Sequence, residues 1–120
     1  MKIAFTATGD SLNAPLDPRF GRAPGFLIYD DEQGQIDALS NTQNLNAAQG
    51  AGIQAATALA KAGVDMLITG HCGPKAFSVL QAAGIKVFLS SAKTIADAYD
   101  LFKKGELEEA SGPNAQSHWV

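Results

Sequence analysis

The segment Thr69-Gly70-His71-Cys72-Gly73-Pro74-Lys75 gathers the residue types best suited to chemistry. It joins an apolar strand pattern, Val64 to Thr69, to a helix pattern in which Pro74 suits the first helical position. Amides at such a helix start point toward a bound anion, and Gly70 and Gly73 permit close backbone approach. Cys72, just before the helix, is expected to be biased toward thiolate, the form that binds metals or attacks electrophiles. The competing reading is a small buried hydrophobe, the common fate of a lone cysteine, although a turn between two glycines is a poor place to hide one. His71 stands open between a ligand or proton relay and a loop residue that bonds backbone.

A second set lies in Asp17-Pro18-Arg19-Phe20-Gly21-Arg22-Ala23-Pro24. Arg19 and Arg22, with Lys75 and Lys93 on neighbouring loops, would form a cationic rim fit for an anion. The plainer alternative pairs the arginines with Asp10 or Asp17. Phe20 reads as core. Asp30, Asp31, Asp37 and Asp65 fall at turn, hairpin and strand positions, and no motif gathers them into a metal-dependent nuclease centre. A cysteine enzyme is the weaker reading, because Ser78 stands where a phosphatase-like loop needs arginine, no Gly-Lys phosphate loop is present, and no base-orienting residue is evident.

The elements that must position these residues follow from periodicity. Lys2 to Ala7 reads as a strand, Thr8 to Gly25 as a long loop, and Phe26–Tyr29 with Gln35–Leu39 as a β-hairpin whose turn places Gly34 at positive φ. After a polar connection over residues 40 to 49, Ile53, Ala56, Leu59 and Ala60 form a helical stripe that Gly63 ends. Leu59 to Thr69 is echoed by Leu80 to Ser90, each a helix end, a glycine and a strand, which predicts two successive αβ units. A last helix runs from Thr94, as N-cap, to Gly105. The expected fold is α/β: a three-layer α/β/α sandwich on a five-stranded mixed sheet, with the first, fourth and fifth strands parallel neighbours and the hairpin extending the sheet beside the first. Residues 1 to 105 are expected to form a single domain and 106 to 120 an irregular tail, in which His118 and Trp119 are ambiguous. Ligands of such sheets sit beyond the carboxyl ends of the parallel strands, which here carry the loops 8–25, 69–75 and 90–94.

Bulk properties narrow the partners. A net charge of −3 argues against a nucleic-acid surface. The apolar run after Met1-Lys2 is too short for a signal peptide and no stretch has the length of a membrane span, so a cytoplasmic protein is expected. One cysteine excludes an intrachain disulfide and a four-thiolate site built from one chain.

Phe20-Gly21-Arg22-Ala23-Pro24 after a first strand, Gly50-Ala51-Gly52 opening a helix, Gly63-Val64-Asp65 entering a strand, and Gly70, Gly73-Pro74 and Ala76 after it together resemble the dinitrogenase iron-molybdenum cofactor biosynthesis family, which includes NifX-like carriers, the C-terminal domain of NifB and the orange protein. The resemblance spans about residues 1 to 105 and implies a ribonuclease-H-like fold and the binding or delivery of iron-sulfur or molybdenum-containing clusters. Arg19 and Gln49 stand where many relatives have histidine, which puts a histidine-ligated cluster there in doubt. His71-Cys72 replaces apolar residues, which points to Cys72 as the strong metal ligand with His71 beside it. The expected function is that of a small non-catalytic carrier of a metal-sulfur cluster, bound by Arg19, Arg22, Gly70, His71, Cys72, Gly73 and Lys75 and handed to a recipient or assembly protein. A regulatory or scaffolding module that docks a partner through the same edge is the alternative.

Overall fold

The computed structural model describes residues 1–41 and 51–110. Six strands form one mixed sheet: β1 (Lys2–Ala7), β2 (Gly25–Asp30), β3 (Gln35–Ser40), β4 (Met66–Thr69), β5 (Lys86–Leu89) and β6 (Glu108–Glu109), in the order β3-β2-β1-β4-β5-β6. Three helices, α1 (Ala51–Lys61), α2 (Pro74–Ala82) and α3 (Ile95–Lys103), complete the described elements. β4 pairs in parallel with β1 on one side and with β5 on the other, while β2 and β3 run antiparallel beyond β1. This neighbour order is the one expected from the two αβ units and the hairpin. Gly34 turns that hairpin at φ 68°, a conformation that costs glycine little.

The strand count differs from the five expected. Glu108 and Glu109, in the stretch read as an irregular tail, pair antiparallel with Leu89 and Phe88, and the Ala110 amide donates to the Val87 carbonyl at 2.8 Å. The pairing satisfies backbone groups along the outer edge of β5, and two exposed glutamates carry no alternating pattern that could announce it.

Successive residues of β1, β2 and β4 point to opposite faces of the sheet and are buried on both, while β3 is mostly exposed. Ala4, Phe26, Ile28, Leu67 and Val87 pack with Ala55, Ala56 and Leu59 of α1 and with Ala76 and Leu80 of α2. The alternate residues Ile3, Phe5, Leu27 and Ile68 pack with Ile95 and Ala98 of α3. The buried face of α1 is turned from the predicted stripe: Ala55 replaces Ala60, which is exposed, and Ile53 is only half-buried. In an alanine-rich helix several stripes are nearly equal in hydrophobicity, so packing against the sheet decides among them.

Helix ends follow their local signals. The Thr94 hydroxyl accepts the Asp97 amide at 3.2 Å, Pro74 opens α2, and Gly63 and Gly105 follow their helices at positive φ. Among the described residues no helix is long and apolar enough to cross a membrane. Residues 42 to 49 of the polar connection, Gln49 and Gly50 of the family pattern, and His118 and Trp119 lie outside the described residues.

Candidate functional site

β1 and β4 run parallel and side by side, so the loops that leave their carboxyl ends meet. At that edge the hydroxyls of Thr6 and Thr69, both fully buried, lie 3.0 Å apart. The long loop after β1 folds back over them. The Asp17 amide donates to the Thr6 carbonyl at 2.8 Å, and the Thr6 hydroxyl donates to the Asp17 carbonyl.

One residue further, the loop joins the segment after β4. The His71 amide donates to the Pro18 carbonyl at 2.7 Å and the His71 carbonyl accepts the Phe20 amide at 3.1 Å, which sets Arg19 and His71 side by side as a short parallel bridge. Gly70 makes this approach feasible, because a Cβ there would stand 2.9 Å from the Pro18 carbonyl oxygen. The loop after β5 is fastened to the same structure, with the Leu16 amide donating to the Lys93 carbonyl at 3.0 Å and the Ser90 amide to the Thr69 carbonyl at 2.9 Å.

These bonds enclose a cleft of about 460 Å³. Leu16, Pro18, Leu89 and Ala92 give it apolar walls, His71, Ser90, Ser91 and Lys93 supply its polar groups, and Gly70 completes the lining. No acidic side chain lines it among the described residues. Arg19 stands at its margin through the bridge to His71, and its side chain is 57% exposed. Its Nε lies 3.8 Å from the Asp17 carboxylate, whose Oδ1 also accepts the Arg19 amide at 2.9 Å. For Arg19 the plain ion-pair reading therefore holds; Asp17 is buried, but the contact is long and the arginine side chain is mostly exposed, so much of its cationic charge still faces solvent.

Of the residues singled out by sequence, the fold brings Gly70, His71 and Lys93 to the cleft and Arg19 to its margin. Arg22, Cys72, Gly73 and Lys75 do not line it. Arg22 is half-buried, Lys75 is exposed on the first turn of α2, and Gly73 is its N-cap. Cys72 reverses its expectation. It is 1% exposed in the cluster that holds Phe20, Ala76 and Phe77, and burial pushes its thiol up to about 12. Desolvation of the charged form outweighs the pull of a nearby helix start, so the thiolate bias is absent. Phe20 is core as expected, fully buried with its ring 5.6 Å from that of Phe26. Ser90 and Ser91, which also line the cleft, lie in the expected edge loop 90–94 but carry no motif that singles them out.

Among the described residues no group of three or more His, Cys, Asp or Glu could hold a metal ion. What the cleft can do is receive an anion with an apolar or polarisable surface, through cationic and imidazole groups on a hydrophobic wall.

The dinitrogenase iron-molybdenum cofactor model matches residues 1–105. The apo form of the orange protein from Desulfovibrio gigas superposes with a TM-score of 0.92 at 44% identity, over 95% of this chain and 96% of that one. A putative NifB protein from Thermotoga superposes with a TM-score of 0.83 at 35% identity, over 95% and 97% of the two chains. An uncharacterised protein of Methanocaldococcus jannaschii is 36% identical over 112 residues, 91% of each chain.

Proposed function

Since the chain belongs to the dinitrogenase iron-molybdenum cofactor family, we propose that it holds a preassembled anionic metal-sulfur cluster, iron-sulfur or molybdenum-containing, in the cleft between Leu16, His71 and Lys93 and hands it to a recipient or assembly protein. The observation that carries this reading is the cleft's chemistry: a lysine and a histidine on apolar walls, with no acidic side chain in the lining among the described residues. A cluster already saturated by its own sulfides needs no set of protein ligands. Charge, hydrogen bonds and contact with Leu16, Pro18 and Leu89 suffice to hold it, and such a grip is easily released.

Roles divide accordingly. His71 and Lys93 make direct contact, Arg19 adds charge at the margin, and Gly70 and Gly73 shape the backbone. Arg22 and Lys75 act at longer range. Cys72 supports the loop from within the core rather than ligating, because exposing it would disrupt its packing with Phe20 and Phe77. Binding and delivery, rather than catalysis, are the whole activity in this reading, and the cytoplasm is its place. Residues 1 to 105 serve as the cofactor-binding domain, whose sheet Glu108 and Glu109 extend as β6. Helix clusters on opposite sheet faces support a ribonuclease-H-like α/β/α sandwich.

The test is anaerobic incubation of the purified protein with iron, molybdate and sulfide, followed by gel filtration and elemental analysis. A coloured, metal-containing protein fraction is the predicted result. Protein that elutes colourless and free of metal contradicts the proposal.

A further inference from the structure

Thr6 and Thr69 are fully buried and neither lines the cleft. A buried hydroxyl costs free energy unless it is hydrogen-bonded, and valine would fill either strand position without that cost. The two hydroxyls instead meet each other at 3.0 Å, and that of Thr6 donates to the Asp17 carbonyl.

From these two residues further bonds lead to the backbone of Arg19 and to that of Ala92, the neighbour of Lys93. One route passes through Asp17, whose amide donates to the Thr6 carbonyl at 2.8 Å and whose Oδ1 accepts the Arg19 amide at 2.9 Å. The other passes through Thr69, whose carbonyl accepts the Ser90 amide at 2.9 Å. The Ser90 hydroxyl in turn accepts the Ala92 amide at 3.1 Å, one residue before Lys93.

We propose that the Thr6–Thr69 hydroxyl pair is a positioning joint, which holds the loops carrying Arg19 and Lys93 at a set spacing before any ligand arrives. The inference rests on the binding reading above and adds the device that keeps the cleft preformed, so that ligand binding need not order the loops. Thr6 and Thr69 touch no ligand; they act through Asp17 and Ser90.

The test compares Thr6→Val, Thr69→Val and the rescue variant Thr6→Ser with wild type. Amide hydrogen exchange is measured on the unliganded proteins, and tetrathiomolybdate is titrated at several salt concentrations. In Thr6→Val the amides of Asp17, Phe20 and His71 should exchange about tenfold faster, the effect of one lost buried hydrogen bond, while the Gly34 amide in the distant hairpin is unchanged. Tetrathiomolybdate should bind about tenfold more weakly and with a shallower salt dependence, and Thr6→Ser should restore both. Unchanged exchange in both valine variants overturns the joint. So does a uniform rise that includes Gly34, which marks general destabilisation, and so does faster loop exchange at unchanged affinity. Failure of wild type to bind tetrathiomolybdate contradicts the binding reading instead, and the exchange pattern still decides whether the joint exists. If Thr6→Val does not fold, Thr69→Val, which removes the hydroxyl–hydroxyl contact and leaves the Thr6–Asp17 bond in place, is read at the Ser90 amide and in tetrathiomolybdate affinity, and no change in either overturns the joint.

Discussion

Gly70 lies so close to Pro18 that a Cβ would stand 2.9 Å from the Pro18 carbonyl oxygen and 3.0 Å from its Cα and Cβ. The oxygen and Cα belong to the backbone, and the ring carbon belongs to a rigid side chain. None can step aside by rotating. Gly70 is not among the glycines at positive φ, so its requirement is space rather than conformation. Gly70→Ala is expected to pry Pro18 from His71 and to lower stability by about 1–3 kcal/mol, the usual cost of overpacking. Urea unfolding measures it, and an unchanged midpoint would show that the two loops are not in contact.

The buried Cys72 thiol makes stability depend on alkaline pH. It ionises ordinarily near 9.0 and burial pushes it to about 12, so the unfolded chain releases the proton first. The contribution is fully present below 9.0 and is lost as pH rises toward about 12. Cys72→Ala removes this dependence. The gap in unfolding free energy between wild type and Cys72→Ala should therefore shrink between about pH 8 and about pH 11. A thiol reagent at neutral pH should label the native protein far more slowly than the urea-unfolded one; equal rates would place the sulfur at the surface.

Thr94 caps α3 and follows directly on the Lys93 loop. Thr94→Ala should cost about 1 kcal/mol, since the Asp97 amide loses its acceptor, and Thr94→Ser should recover most of it. Thermal unfolding of the three proteins gives the comparison. Equal midpoints would show that the cap contributes nothing.

Much of this architecture was legible from local signals. Gly34, Gly63 and Gly105 marked turns that the backbone then takes at positive φ. The strand order followed from the hairpin and the repeated αβ unit. Thr94 and Pro74 announced helix starts through chemistry confined to one turn. The failures all depend on packing between distant segments. Glu108 and Glu109 form β6 through backbone bonds alone, so their side chains gave no sign of it. The α1 stripe is decided by which alanines meet the sheet. The helix start after Cys72 suggests a thiolate, while its state is set by burial under Phe20, which comes from the loop after β1, together with Ala76 and Phe77 of α2. The site was read in part: His71 and Gly70 by motif, Arg19 and Lys93 by charge. Ser90 and Ser91 are commonplace residues made relevant by the strand that precedes them.

The central claim is that the anion is held by the cleft's charge and walls and not by a thiolate. Titration of tetrathiomolybdate into anaerobic wild-type, Lys93→Glu and Cys72→Ala protein, followed by visible absorption, tests it most directly. The account predicts equal affinities for wild type and Cys72→Ala, with Lys93→Glu weaker by about tenfold or more at low salt and the difference narrowing as salt rises. Loss of binding in Cys72→Ala, or wild-type affinity in Lys93→Glu, would contradict it.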